Sequence, residues 1–174
     1  MISVTVSIRV VSEQDIAEIA ALVAANLEFL APWDPHRAPD FATETVQRRL
    51  ITEALRRHHL GETVPLVIVV DERIVGRITV NDVIRGPFQS AHLGYWVSQS
   101  HNGQGIATTA VAATVALAFG EYGLHRLQAG TLPHNHRSQR VLANNGFTLI
   151  GLAPRYLQIA GRWQDHLLFQ RLAD

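Results

Sequence analysis

The run Leu93-Gly94-Tyr95-Trp96-Val97, then Ser98-Gln99-Ser100-His101, then Asn102-Gly103-Gln104-Gly105-Ile106-Ala107-Thr108 leads directly into an alanine-rich segment. Strand, glycine loop and helix start, in that order, make an anion site. Unpaired N–H groups at a helix mouth point together, and the macrodipole adds roughly half a positive charge there, which suits a pyrophosphate. Glycine at 103 and 105 lets the backbone approach a ligand closely. The plainer alternative is a strand-to-helix turn in which the two glycines serve geometry alone. Two better-known phosphate loops fail on the letters. A dinucleotide fingerprint needs a third glycine where Thr108 stands, early in a βαβ unit, and a P-loop needs a lysine that the chain does not contain.

Outward from this loop, the pattern implies a mixture of strands and helices. Val4, Val6, Ile8 and Val10 alternate with Ser3, Thr5, Ser7 and Arg9, the period of a half-buried strand. Ser12 is placed to cap a first helix carrying Ile16, Ile19, Ala20 and Val23, with Val11 and Ile16 as a hydrophobic staple. After the prolines at 32, 35 and 39 comes a second helix, with Val46, Leu50, Ala54 and Leu55 expected inward and Arg48, Arg49, Arg56 and Arg57 outward. Apolar runs at 66–70, 74–83 and 92–97 read as an antiparallel meander. A helix over 106–121, apolar almost all round, is expected to be buried on several sides. A strand at 126–132, a short helix at 138–145 ended by Gly146, and strands at 147–152 and 166–172 around a Gly161 turn close the chain. No repeat or low-complexity tail is present.

A length of 174 residues, with 47% apolar and 17% charged residues, implies one globular domain over residues 1–174. Fifteen basic residues balance fifteen acidic ones, so no overall field draws the chain to nucleic acid or membranes, although a local basic face is open to it. No apolar run reaches membrane-spanning length and no basic leader follows Met1, so a cytoplasmic location is expected. The absence of Cys removes thiolate nucleophiles and cysteine metal sites, and the absence of Lys removes Schiff-base chemistry. Direct group transfer is the simplest remaining chemistry. The histidines at 58, 59, 134 and 136 have no carboxylate at metal-ligand spacing, so no metal is expected.

The residues Gly94-Tyr95-Trp96-Val97 followed by 102–107 resemble motif A of the GNAT superfamily of N-acetyltransferases, Arg/Gln-x-x-Gly-x-Gly/Ala. Asn135-x-x-Ser138, Asn145-Gly146-Phe147 and Gly161-Arg162-Trp163-x-Asp165-His166 resemble the RimJ/RimL-type ribosomal-protein N-acetyltransferases, as does Asn26-x-x-Phe29-Leu30-x-Pro32-Trp33 upstream. The resemblance covers nearly the whole chain. It departs at Asn102, where Arg or Gln is usual; the other donors being backbone amides, binding is expected to survive. The resemblance implies an α/β (α+β) fold, with a mixed, mostly antiparallel sheet of about seven strands, about four helices, and splayed strands forming an acetyl-CoA cleft. It further implies that Tyr95, Trp96, Val97, Asn102, Gly103, Gln104, Gly105, Ile106, Ala107, Thr108, Asn135 and Ser138 bind acetyl-CoA.

The same resemblance implies a bulge near Tyr95 to Val97 that frees an N–H for the oxyanion, and places Ser138 near the cofactor sulfur as a weak acid. Asn135 fits either the pantetheine amide or an Asx turn, and Ser138 either that role or a plain N-cap. An α-amino group, with a pKa of about 7.7 to 8.0, needs little base, and a water relayed by His92, Asp82 or Glu28 would serve. Phe29 and Trp33 read as packing first and acceptor groove second. Tyr95 and Trp96 must face opposite sides of their strand. The acceptor is expected to be a protein N-terminus, typically of a ribosomal protein, bound between loops at 32–39 and 154–163. A small amine acceptor, or a catalytically idle CoA-binding or partner-binding module, are the alternatives. Monomer and homodimer are both open.

Overall fold

The computed structural model describes residues 5–173, so the part of the first strand assigned to Ser3 and Val4 lies outside the described residues. Seven strands form one sheet in the order β1-β2-β3-β4-β5-β7-β6. They are β1 (Val6–Val10), β2 (Val64–Val70), β3 (Arg73–Ile84), β4 (Ser90–Val97), β5 (Arg126–Thr131), β6 (Thr148–Ile159) and β7 (Arg162–Leu172), with helices α1 (Ile16–Leu30), α2 (Glu44–His59), α3 (Ile106–Gly120) and α4 (His136–Asn144). Every neighbouring pair is antiparallel except β4 and β5.

Each face of the sheet buries a different layer. Val64, Leu66, Ile68, Ile78, Val80 and Leu93 pack with Ile106, Ala110, Val111 and Leu142 of α3 and α4. Val67 and Ile74, on the other face, pack with Ile16, Ile19, Val23 and Ile51 of α1 and α2. This explains β2, whose near-continuous apolar run is buried on both sides.

Several local expectations are corrected. The inward stripe of α2 is centred on Gln47 and Ile51, both 0% exposed, while Leu50 is 37% exposed. The Gln47 side chain donates to Phe41 O at 2.7 Å, so a polar residue takes a position that the apolar pattern assigns to its neighbours. Ser12 opens a short 3-10 turn (Glu13–Asp15) before α1, and its N–H donates to Asp15 Oδ2 at 2.7 Å. Arg9 donates to both Asp15 oxygens at 2.7 and 2.8 Å, a hydrogen-bonded pairing that lowers the Asp15 carboxyl below its usual range. Val11 and Ile16 are both buried in one cluster, as a staple requires. α3 exposes Ala112, Ala113 and Ala116, so it buries one broad stripe rather than several sides. The segment at 154–163 is not a loop: it is the end of β6, an Ala160-Gly161 turn with positive φ at both residues, and the start of β7. Among the described residues no helix is long and apolar enough to cross a membrane.

Gly76 shows how closely β3 and β4 approach. The register against β2 shifts at this point, and a Cβ on Gly76 would stand 2.3 Å from Trp96 O and 3.0 Å from the Val97 Cα. Both obstacles are backbone, so they cannot swing aside. Gly76→Ala is therefore expected to lose about 1–3 kcal/mol of stability in urea unfolding; an unchanged midpoint would contradict this packing.

Candidate active site

The site begins where β4 leaves β5. These parallel strands pair only at Ser90↔Arg126, Ala91↔Leu127 and His92↔Gln128, and then diverge. On its other side β4 stays paired to β3 from Asn81↔His92 to Gly76↔Val97, with no register shift. The bulge expected near Tyr95 to Val97 is absent; the irregularity lies between Asn81 and Ile84, where Asp82 has φ of 51°. Ser98 N–H donates to Val75 O at 2.7 Å. Ladder alternation then turns the backbone groups of Trp96 and Gly94 toward β3, and those of Leu93, Tyr95 and Val97 toward the gap left by β5. Divergence of β5, rather than a bulge, frees these amides. Consistent with this, Val97 O faces away from β3 and accepts from Asn102 Nδ2 at 3.4 Å.

The glycine loop follows at once. Gly103 and Gly105 both have φ of 77°, a left-handed conformation that glycine adopts without penalty. An added Cβ at either would meet no protein atom within 4 Å, so backbone conformation accounts for both glycines on the protein side. Thr109 N–H bonds back to Gly105 O at 3.0 Å, which leaves the amides of Ile106, Ala107 and Thr108 without intrahelical acceptors. No side chain caps this end. Asn102 folds instead onto the carbonyls of Val97 and Ser98, and Gln104 onto Ser100 O at 3.2 Å. Buried Asn26 of α1 holds the start of the loop, its Oδ1 accepting from Ser98 Oγ at 3.2 Å and Gln99 N–H at 2.9 Å. That is the work of the first residue in the upstream motif.

A cleft of about 450 Å³ lies over this mouth, lined by Val97, Asn102, Gly103, Gly105, Ile106, Ala107 and Thr108, and opposite them by Arg137 and Arg140 of α4. Sequence reasoning passed over both arginines. Their spacing of three on an amphipathic helix was the signal, because it sets them on one face. Through Val97, Asn102 and these arginines the cleft continues into one of about 440 Å³, and through Tyr95, Trp96, Asn135 and Ser138 into another of about 460 Å³. The result is one groove running through the split in the sheet.

Tyr95 and Trp96 point to opposite faces, Tyr95 toward the α3 side and Trp96 toward α1. The Tyr95 hydroxyl lies 2.8 Å from Ser138 Oγ and 3.3 Å from Ser138 O. Ser138 is not the N-cap of α4. Asn135 is, its Oδ1 accepting from Ser138 N–H at 3.2 Å, and its amide nitrogen stays available at the groove wall. Trp33 lines the groove and packs at a tilt against His134, ring centres 5.4 Å apart, while Phe29 lines the part nearer α4.

Of the three proposed water-relay residues, Glu28 is exposed on α1, whereas His92 and Asp82 share a separate cleft of about 360 Å³ that meets the groove at Leu93 and Gly94. Asp82 is occupied by Arg57 at 3.3 Å. His166 lines the same part of the groove as Tyr95 and Ser138; it is 4% exposed, with Nδ1 at 3.0 Å from Gln164 O. A carbonyl only accepts, so Nδ1 carries the proton and Nε2 of the neutral ring is left as an acceptor. Its signal was the motif ending Asp165-His166. Among the described residues no group of three His, Cys, Asp or Glu is placed to hold a metal.

Burial pushes the Tyr95 phenol up to about 12, against a smaller opposite effect of its Ser138 hydrogen bond, so it is protonated at neutral pH. The folded state thus favours the protonated form. Its stabilising effect is complete below the ordinary value of 10.0 and is lost as pH climbs toward about 12. Urea midpoints of the wild type should fall relative to those of Tyr95→Phe across that window; parallel pH curves would contradict the burial.

The model of the Acetyltransferase (GNAT) domain family matches residues 5–148. Over 168 residues, 93% of this chain and 91% of the relative, the chain is 37% identical to the Bacillus subtilis protein named "Probable N-acetyltransferase YjcK". It is 31% identical to the [Ribosomal protein uS5]-alanine N-acetyltransferase of Escherichia coli, over 92% of this chain and 84% of that protein. Mycobacterium smegmatis RimJ, solved in complex with CoA-disulfide, superposes with a TM-score of 0.93 at 36% identity, covering 97% of this chain and 82% of that one. Ribosomal-protein-S5-alanine acetyltransferase from Vibrio fischeri superposes at 0.92 with 32% identity, over 97% and 93%. Split sheet, uncapped helix mouth and these relatives converge, and the chain belongs to the GNAT family of N-acetyltransferases.

Proposed function

We propose that this chain is a single-domain, cytoplasmic enzyme that transfers acetyl from acetyl-CoA directly to the N-terminal α-amino group of a protein, a ribosomal protein in its typical use. The observation that carries this is the open inner edge of β4, with the uncapped mouth of α3 at one end and the Tyr95–Ser138 pair at the other. The ribosomal-protein acetyltransferases among its relatives support the acceptor class.

In this reading the pyrophosphate sits on the amides of Ile106, Ala107 and Thr108, and Arg137 and Arg140 face its charge. The pantetheine arm runs along Leu93 to Val97 as a strand would, with Asn135 donating from across the groove. An acceptor amine, neutral at its own pKa of about 7.7 to 8.0, attacks the thioester carbonyl carbon. As the C–N bond forms, the carbonyl oxygen takes up charge that a free β4 amide stabilises. Collapse breaks the C–S bond, and the electron pair leaves on sulfur, toward which Ser138 Oγ donates. The Tyr95 hydroxyl donates to Ser138 Oγ and holds it in that orientation, and the thiolate takes its proton from solvent. The proton lost by the amine passes to water, with the Nε2 of His166, beside Tyr95 and Ser138, and His92, in the adjoining cleft, as acceptors.

Mass spectrometry of an Ala- or Ser-initiated peptide incubated with acetyl-CoA should show one acetyl group, confined to the α-amine and absent when that amine is blocked. Arg137→Ala with Arg140→Ala should raise the KM for acetyl-CoA about tenfold or more with little change in kcat, as loss of charge-assisted phosphate contacts would. Transfer only to small amines would overturn the protein acceptor, and transfer to no amine would leave a CoA-binding module.

A further inference from the structure

Arg77 is the cationic side chain at the groove that this scheme leaves unused. It stands mid-way along β3 between the buried Gly76 and Ile78, directly across from Trp96 and on the same face. It lines the part of the groove that also holds Trp33, Asp34, Tyr95, Ser138 and His166, where acetyl transfer would occur. Its Nε is shut away from solvent with no hydrogen-bond partner. Among the described residues it has no ion pair: the carboxylates joined to arginines are Asp15 with Arg9, Asp34 with Arg37, Glu53 with Arg56, and Glu62 and Asp82 with Arg57. Asp34, the carboxylate in the same groove, is taken by Arg37 at 3.0 Å.

Arg77 as a whole is half-buried, and of its guanidinium nitrogens only Nε is shut off without a partner, which leaves the two terminal nitrogens open to the groove. Burial, and after it the positive charge of Arg37, push the Arg77 guanidinium below its ordinary value. A structural arginine in such a place is normally bonded to carbonyls or a carboxylate. An arginine held without either, at the part of the groove where transfer would occur, is free to take an anion that the ligand brings. The planar fork of a guanidinium fits a carboxylate with two parallel hydrogen bonds.

We propose that Arg77 binds a carboxylate of the acceptor, and that the preferred acceptors are N-termini carrying Asp or Glu within the first few residues behind the acetylated amine. The inference rests on the protein N-terminal reading above. Arg77 sets which acceptor enters and how its amine is aimed, while the chemistry stays with the groups around Ser138.

The test uses C-terminally amidated, Ala-initiated peptides that differ only by Glu or Gln at the second, third or fourth position. Alanine as the free acid or as its amide forms a separate arm. At one of the peptide positions wild-type kcat/KM should favour Glu over Gln by about tenfold or more. Arg77→Gln should bring that ratio close to one without altering the KM for acetyl-CoA, and Arg77→Lys should restore part of it. Equal turnover of Glu and Gln peptides at every position by the wild type, whatever the variants do, would overturn the inference while leaving N-terminal acetylation standing. Turnover of no peptide would overturn the N-terminal reading and the inference with it, and so would turnover of free alanine alone.

Discussion

Separation of β4 from β5 is the constraint on which the rest of the molecule depends. A continuous sheet would satisfy every amide of Leu93, Tyr95 and Val97 internally, and nothing could bind there. With pairing confined to residues 90–92 of β4, a row of backbone donors and acceptors is left facing a groove inside the fold. The split also lets one groove reach both faces, so that Tyr95 and Ser138 from the α3–α4 side and Arg77 and Trp96 from the α1 side line a common space.

Holding such a gap open requires its walls to be rigid. On one wall β4 is locked against β3 through Gly76, whose missing side chain permits the contact with the Trp96 and Val97 backbone. On the other, β5 is carried away by its full-length pairing with β7, from Arg126↔Leu172 to Thr131↔Leu167. Asn26 ties α1 to the entrance of the glycine loop, and Ala160 N–H bonded to Asp34 O at 2.9 Å ties the β6–β7 turn to the segment beneath Trp33. The groove is thus bounded by elements distant in sequence, each fixed by a small number of backbone or amide contacts.

Much of this was legible in the chain, and what was not has definite causes. Period-two alternation and turn residues located the strands, and the two left-handed glycines before an alanine-rich run located the helix mouth. Errors arose where a polar residue did structural work. Gln47 took the buried face of α2 that apolar counting assigned to Leu50, and Asn135 took the cap that was one of the two readings of Ser138. The bulge expected at Tyr95 was a misplaced cause for a real effect, because strand divergence depends on where β5 goes, and no local pattern encodes that. Arg137, Arg140 and Arg77 were hidden for a similar reason: an arginine on a helix or strand looks solvated until the opposite wall is known.

The most direct test is hydrogen exchange of the protein with and without CoA. If the open edge and the helix mouth grip the cofactor, the amides of Tyr95, Val97, Ile106, Ala107 and Thr108 should gain protection on adding CoA, while those of Gly94 and Trp96, already bonded to β3, should not change. Protection spread evenly over β4, or none at these five amides under saturating CoA, would contradict the account.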